Sequence, residues 1–556
     1  MMKIKDTIRR GFVFSLLFAG AVMAATAQEY SWDHLPVVHT PSFRKDTFNI
    51  TRYGARADGI TLNTEGINAA IADCSSKGGG VVLVPAGFWL TGPIVLKSGV
   101  NLHIDRAAIL QFSSDFDLYP ITAGNWEGHP AARCQSPLSG TNLENIAITG
   151  TGIIDGNGDA WRWIAKDRLT DNEWKKKIAS GGVITEDGKT WFPSARSMKG
   201  YRTKDAGVLK PGMPLSSFDD IRDFLRPNLL VLTNCKKVLL DGPTFQNSPA
   251  WCLHPLLCED LTVHDVHVRN PWNAVNGDGI DIESCKNVLL ENSTFDAGDD
   301  GICIKSGRDE DGRKRGRPTE NVIVRDDIVY HAHGGFVVGS EMSGGARNIF
   351  VYDCSFLGTD IGLRFKTVRG RGGVVEKIYV RNISMKDIVH QAVFLDMYYF
   401  AKAPTLAASN GQQETDIPPV TEATPQFRDI HISNVVCDGA EEGIFVRGLP
   451  EMSIKDIYLE NMVLQANKGA ELIAAKGITL KNIRLVTKET DPVIYVENSS
   501  DLRFDTIRYN DAAGLLFSIN GDKCANLQVT GTDTSKAMRK NIFNYGASEN
   551  TLEIKQ

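Results

Sequence analysis

Residues 285–292 read CKNVLLEN and residues 319–326 read TENVIVRD. Both begin with polar residues, continue apolar-x-apolar, and end polar on Asn or Asp. The pattern recurs as LENIAITG, CKKVLLDG, CEDLTVHD, ARNIFVYD, VEKIYVRN, FRDIHISN, IKDIYLEN and AKGITLKN. From the second copy onward its central apolar positions are Val238, Leu261, Val288, Val322, Ile349, Ile378, Ile430, Ile457 and Ile478, mostly 21 to 34 residues apart. Alternation places every second side chain on one face of a strand. Repetition at this period means a solenoid, each unit covering its neighbour's apolar face. Short strands without intervening helices make a parallel β-helix, hence an all-β fold. A leucine-rich repeat would show LxxLxL together with a regular Asn ladder, and that combination is not found.

Within the repeat lies NGDGIDIESCKNVLLENSTFDAGDDGICIK, residues 276–305. Asp278 and the pair Asp299 and Asp300 are set in strand-like alternation. About one coil separates the first from the pair, so they are expected on neighbouring rungs, ~4.8 Å apart. Carboxyl groups that close cannot all ionise freely, and one should hold its proton near neutral pH. Such a pair is the acid–base apparatus of glycoside hydrolysis. The competing reading is an Asp- and Gly-rich surface turn.

Outside the repeat, Ile67, Ala70, Ile71 and Cys74 fall on one helical face, which predicts a helix over 64–77. Asn63 or Thr64 is expected to cap it and Gly78 to end it, and the helix would cover the open N-terminal end of the solenoid. Strands are expected at Val81–Pro85, Phe88–Thr91, Ile94–Leu96, Val100–Ile104 and Ala108–Phe112. Residues 1–27 have the form of a secretory signal: Lys3, Lys5, Arg9 and Arg10, an apolar run, then Ala25-Thr26-Ala27. They imply export across the inner membrane to the periplasm or outside, with no stable membrane insertion. A leader, 28–46, precedes the β-helix domain, 47–510, and 511–556 form the end of the solenoid and a tail. Two polar stretches, about 158–227 and 400–426, interrupt the period as long insertions, and such loops on a rigid scaffold commonly serve function.

The 556 residues carry a net charge of −6, which gives no nucleic-acid footprint. Ten cysteines without CxxC spacing read as buried free thiols, with a disulfide or two allowed in an oxidising compartment. The basic loop GRDEDGRKRGRP, 307–318, reads first as solvated and second as a receiver of an acidic polymer. Its DEDG is no calcium loop, because Arg313 and Arg315 occupy the later ligand positions. His264 and His267 lack a third metal ligand and read as structural. Trp251 and Trp272 flank the aspartates and suit either sugar stacking or core packing.

The chain resembles the polygalacturonase-like glycoside hydrolases of family 28, from FNITRYGARADG to about residue 400. Four motifs stand in that family's order. Asn276-Gly277-Asp278 replaces Asn-Thr-Asp, Gly298-Asp299-Asp300 is intact, Ala332-His333-Gly334 replaces Gly-His-Gly, and Arg364-Phe365-Lys366 matches Arg-Ile-Lys. The resemblance implies a right-handed parallel β-helix and inverting hydrolysis of galacturonate linkages without a metal or other cofactor. Asp299 would be the general acid, Asp278 and Asp300 would hold and deprotonate water, and His333 would support the acid. Arg364 and Lys366 point the same way from their strand and would meet the uronate carboxylate, or else the aspartates themselves. Asn276 and Tyr399 are the further expected substrate contacts. DLYPITAGNWEG resembles exo-acting members, so a groove walled off at one end is expected. A pectate-lyase-like β-elimination and a non-catalytic pectin-binding β-helix are the alternatives.

Overall fold

The computed structural model describes residues 29–555 apart from 402–404, 407–408 and 413–415. The expected signal segment lies outside the described residues. Residues 29–35 form a small separate unit, closed by an antiparallel bridge between Ser31 and His34.

From Thr47 onward, strands stack coil upon coil in parallel ladders. The repeat read from the sequence is the ladder itself. Val238 pairs with Leu261, Leu261 with Val288, Val288 with Val322, and so on through Ile349, Ile378, Ile430 and Ile457 to Ile478, each the Cα partner of the next. All nine are fully buried. Such burial contributes roughly 1.5–3 kcal/mol per side chain before the entropy of ordering is subtracted. The polar residue just before each central position turns the chain into the strand. Asn287, Asn321 and Asn348 adopt φ of 55°, 60° and 55°, a left-handed conformation that Asn tolerates. Their amides bond coil to coil at 3.0 and 3.1 Å.

The capping helix spans Thr64–Ser76, and Ile67, Ala70, Ile71 and Cys74 are its buried face. It packs on the strands Thr47–Asn49, Gly80–Val84, Ile94–Val95 and Val100–Ile104. Asn63 precedes it without a side-chain cap bond. Its carboxamide instead accepts from the Arg56 amide at 2.7 Å and donates to the Thr61 and Leu90 carbonyls, pinning the preceding loop. Gly78 follows with φ +91°. All ten cysteines are buried and unpaired.

The first insertion is a folded module rather than loop. It holds the helices Asp171–Ala179 and Ala195–Arg202, a three-stranded sheet of Ile164–Ala165, Thr190–Phe192 and Val183–Ile184, and a 3-10 run over Leu215–Phe224. The signals for it were local. Thr170 and Glu173 make a capping box, and Ser194 caps the second helix. The basic loop also differs from its solvated reading. Asp309–Arg315 is a short helix whose arginines are spent on protein: Arg315 on Glu283 at 2.6 Å, and Arg313 on the Gly370 carbonyl at 2.7 Å.

The ladder that matters for chemistry has fourteen strands. Its central members are Leu253–Leu256, Ile280–Glu283, Asp300–Lys305, Gly334–Gly339, Leu363–Lys366, Gln391–Asp396 and Glu442–Arg447. Isoleucine, phenylalanine and leucine fill its inward positions, and several of its outward positions carry charge.

Candidate active site

Register brings the three aspartates together. Ile280 pairs with Ile302, so Asp278, two residues earlier, stands one rung from Asp300. Asp300 in turn pairs with Gly334, which sets Asp299 beside His333. The Gly279 amide donates to the Asp300 carbonyl at 2.8 Å, and the His333 amide to the Asp299 carbonyl at 2.8 Å. One carboxylate oxygen from each of Asp278, Asp299 and Asp300 lies within 4.8 Å of the other two. The expected stacking of one coil on the next holds, with Asp300 rather than Asp299 as the rung partner of Asp278.

The three differ in surroundings. Asp278 is 3% exposed, and its Oδ1 has no protein hydrogen-bond partner. Burial first, then the charges of Asp281, Asp299 and Asp300, push its carboxyl well above the usual range. Asp300 is equally buried, and burial opposes its charge, but Lys366, Arg364 and Lys305 outweigh that and hold it well below the usual range. Lys366 Nζ is 2.7 Å from its Oδ2 and Arg364 Nη1 is 3.3 Å from its Oδ1. Asp299 is the most open of the three, its side chain 24% exposed, and its Oδ1 meets His333 Nδ1 at 3.1 Å. That bond raises the histidine's pKa against the opposing effect of burial. Burial and neighbouring carboxylates therefore favour the protonated form at Asp278, a carboxyl that water barely reaches.

Arg364 and Lys366 share the outward face of one strand while Phe365 is fully buried beneath them. Both readings of this pair now have a place. The cations are tied to Asp300, and Arg364 also donates to the His333 carbonyl at 3.1 Å. Tyr399 lies over both, its ring centre 5.0 Å from Lys366 Nζ and 5.7 Å from the Arg364 guanidinium. Asn276 is held by Arg226, whose Nη2 donates to its Oδ1 at 2.9 Å and whose Nη1 donates to the Val275 carbonyl at 2.8 Å.

Several charged residues beside the site were not singled out from the sequence. Asp281 is fully buried on the outward side, its nearest cation Lys305 at 3.5 Å. Lys305 also meets Glu341 at 3.0 Å. Glu283 is shared by His254 at 2.8 Å and Arg315 at 2.6 Å. Their signal was present: in IDIE and DGICIK Asp281, Glu283 and Lys305 alternate with isoleucine, so they must leave the core on the outward face. The trio of aspartates could offer one oxygen each to a cation. Lys366, Arg364 and Lys305 already supply positive charge there.

One coil before Asp278 the groove meets a wall. The hairpin of Ile121–Trp126 and His129–Cys134 folds over the outward sheet face and lays Trp126 on Trp251, ring centres 5.3 Å apart and 22° between planes. Trp251 is 2% exposed and Lys305 Nζ lies 5.0 Å over its ring. The hairpin tip is latched to the loop helix: Glu127 meets Arg308 at 2.8 Å and His129 meets Asp311 at 2.8 Å. A partly open cavity of about 550 Å³ lies between the hairpin and the first strands, lined by Asn125, Arg133, Ser139 and His254 among others. Trp272 is 59% exposed, with Arg168 over its ring.

Comparison with known proteins agrees with this geometry. The family model described as glycosyl hydrolases family 28 matches residues 222–419, and a model described as rhamnogalacturonase A/epimerase, pectate lyase-like, matches residues 47–208. An exo-poly-alpha-D-galacturonosidase of Dickeya chrysanthemi is 29% identical, covering 78% of this chain and 69% of its own. A probable polygalacturonase of Vitis vinifera is 28% identical, covering 78% and 77%. Among solved structures, a hyperthermoactive exopolygalacturonase from Thermotoga maritima superposes with a TM-score of 0.63 at 29% identity, covering 83% of this chain and 94% of its own. A family 28 exopolygalacturonase of Yersinia enterocolitica shares the fold, with a TM-score of 0.58 at 23% identity and coverage of 90% and 78%. The aspartates are gathered in one groove of a parallel β-helix, and the two motifs that carry them, together with those of His333, Arg364 and Lys366, fall within the stretch similar to the glycosyl hydrolases of family 28.

Proposed function

We propose that the chain hydrolyses α-galacturonosidic linkages in pectic polysaccharide or oligosaccharide, by inversion and from a chain end. The observation that carries this reading is the trio of carboxyl groups beside a convergent Arg364–Lys366 pair. Relatives named polygalacturonase and exo-poly-alpha-D-galacturonosidase support it.

Asp299 is the general acid, because it alone of the three opens toward the groove. Its proton is shared with His333, whose imidazolium Asp299 stabilises. Asp300, kept ionised, accepts the proton of the attacking water, and neutral Asp278 holds that water by donating to it. The oxygens lie closer than the separation usual in inverting enzymes; here acid and base are successive residues of one coil, with Asp278 on the adjoining rung, rather than opposite walls.

Asp300 tied to two cations is a weak base. A uronate carboxylate that takes Arg364 bidentately and draws on Lys366 competes for those ties. As it binds, Asp300 gains basicity. A neutral sugar in that position would leave Asp300 clamped, so the charge of the substrate becomes part of the chemistry.

Chain-end attack follows from the wall at Trp126 and Trp251, one coil from Asp278, which leaves room for a terminal sugar and little beyond it. The site of action is outside the inner membrane, on the form of residues 1–27. Among the described residues no helix is long and apolar enough to cross a membrane. The test is a time course on polygalacturonate. Monomer from the first turnovers with slow viscosity loss is expected. An early ladder of mid-sized oligomers with a rapid viscosity drop would mean an open groove.

A further inference from the structure

Beyond Arg364 the outward face changes character. Arg364 pairs with Phe394, Phe394 with Phe445, Phe445 with Glu471, and Glu471 with Tyr495, one residue per coil in a single column. The Phe394 and Phe445 rings stack 5.4 Å apart with 14° between planes, and both are half-buried, neither core nor fully open. The adjoining column runs from Lys366 through Asp396, Arg447 and Ile473 to Glu497. In these two columns beyond Lys366 the one cation is Arg447, and Asp396 holds it with two bonds of 2.8 and 2.9 Å. Its guanidinium also rests 5.0 Å from the Phe445 ring centre.

A chain leaving the site has one way out. The hairpin wall stands one coil before Asp278, so the leaving sugars run toward later coils. Arg364 and Lys366 serve the first leaving sugar. A pyranose unit advances by about one rung, ~4.8 Å, so the second sugar comes to lie over Phe394 and Phe445.

We propose that this second leaving-side position is built for an uncharged sugar with an apolar face, either a methyl-esterified galacturonate or a 6-deoxyhexose, and not for free galacturonate. The inference rests on the hydrolytic chain-end reading above. Stacked on each other, the two rings offer the groove an apolar flank that gives a carboxylate no hydrogen bond and takes the C–H face of a sugar by contact. A free uronate there would lose water and have to break a bidentate pair at 2.8 and 2.9 Å to reach Arg447, whereas Asp300 holds Arg364 by one bond of 3.3 Å. Glu471, on the next rung, repels a carboxylate when ionised. Its carboxyl is raised by burial, against the pull of Lys468 and Arg447, so as pH falls it turns into a hydrogen-bond donor for sugar hydroxyls sooner than an ordinary carboxylate. Phe400, 92% exposed beside Tyr399, extends the aromatic surface at this edge.

The experiment compares kcat/KM of the full chain on four substrates: digalacturonate, trigalacturonate, the trimer methyl-esterified on its reducing-end unit, and a trimer whose reducing-end unit is a 6-deoxyhexose. An advantage of about fivefold or more over trigalacturonate is expected for at least one of the two uncharged trimers. Which of them gains identifies the source of the apolar sugar. Phe394→Lys should erase that advantage and raise trigalacturonate relative to the esterified trimer. Trigalacturonate equal to or better than both uncharged trimers overturns the proposal, whatever the variant does. Digalacturonate has no second leaving sugar, so its cleavage reads the underlying function alone. If it is left intact, the hydrolytic reading itself fails and this inference with it.

Discussion

Lys366→Met tests how Asp300 is kept ionised. The ammonium is 2.7 Å from Asp300 Oδ2 and 4% exposed. With an effective dielectric near 20, an attraction at that distance is about 6 kcal/mol in gross terms. It is not lost in full, because Asp300 can take up a proton instead, and each tenfold gain in its proton affinity corresponds to about 1.4 kcal/mol. Arg364 at 3.3 Å stays in place, so the pKa of Asp300 should rise by roughly 1–3. The sign follows from linkage. A depressed carboxyl contributes stability above its unfolded pKa, and that contribution is lost as pH falls through its folded value. In the variant the folded value is higher, so acid unfolding, followed by circular dichroism, begins at higher pH. The acid limb of kcat on digalacturonate should move up by a similar amount, with a raised KM from the lost carboxylate partner. An acid limb and acid unfolding both at wild-type pH would refute the argument that Lys366 sets the charge of Asp300.

Other expectations follow from the same geometry. Asp299→Asn keeps a polar, isosteric side chain, so the fold should persist while kcat falls by roughly 10²–10⁴; wild-type turnover would remove Asp299 from the role of acid. His333 has a raised pKa caused first by its bond to Asp299, so its charged form is lost as pH rises through that folded value. In His333→Gln the basic limb of kcat should therefore move to lower pH, with Asp299 left to hold the proton alone, and an unmoved limb would count against proton sharing. Turnover is expected to persist in EDTA, and a loss restored by one divalent cation would instead make the aspartate trio a metal site.

The β-helix was legible because its information is local. Apolar alternation and the polar residues that flank it recur wherever the backbone repeats, and the positions from Val238 to Ile478 are literal rung partners. The capping helix was legible for the same reason, through the spacing of Ile67, Ala70, Ile71 and Cys74. The inserted module was not, because its polar surface hides a short-range pattern of caps among glycine, serine and proline. Asp278, Asp299, Asp300, His333, Arg364 and Lys366 could be named from motif and strand alternation alone. What alternation cannot carry is environment. Burial and partners across coils decide that Asp278 keeps a proton while Asp300 loses one, although both are aspartates in one sheet. Contacts as distant as Glu127 with Arg308 close the groove. Arg447 is withdrawn from any substrate by Asp396, which stands 51 residues earlier. A sequence states which side chains face one side of a strand; only packing across the coils decides the electrostatic field they stand in, because that field comes from residues remote in the chain and a rung apart in space.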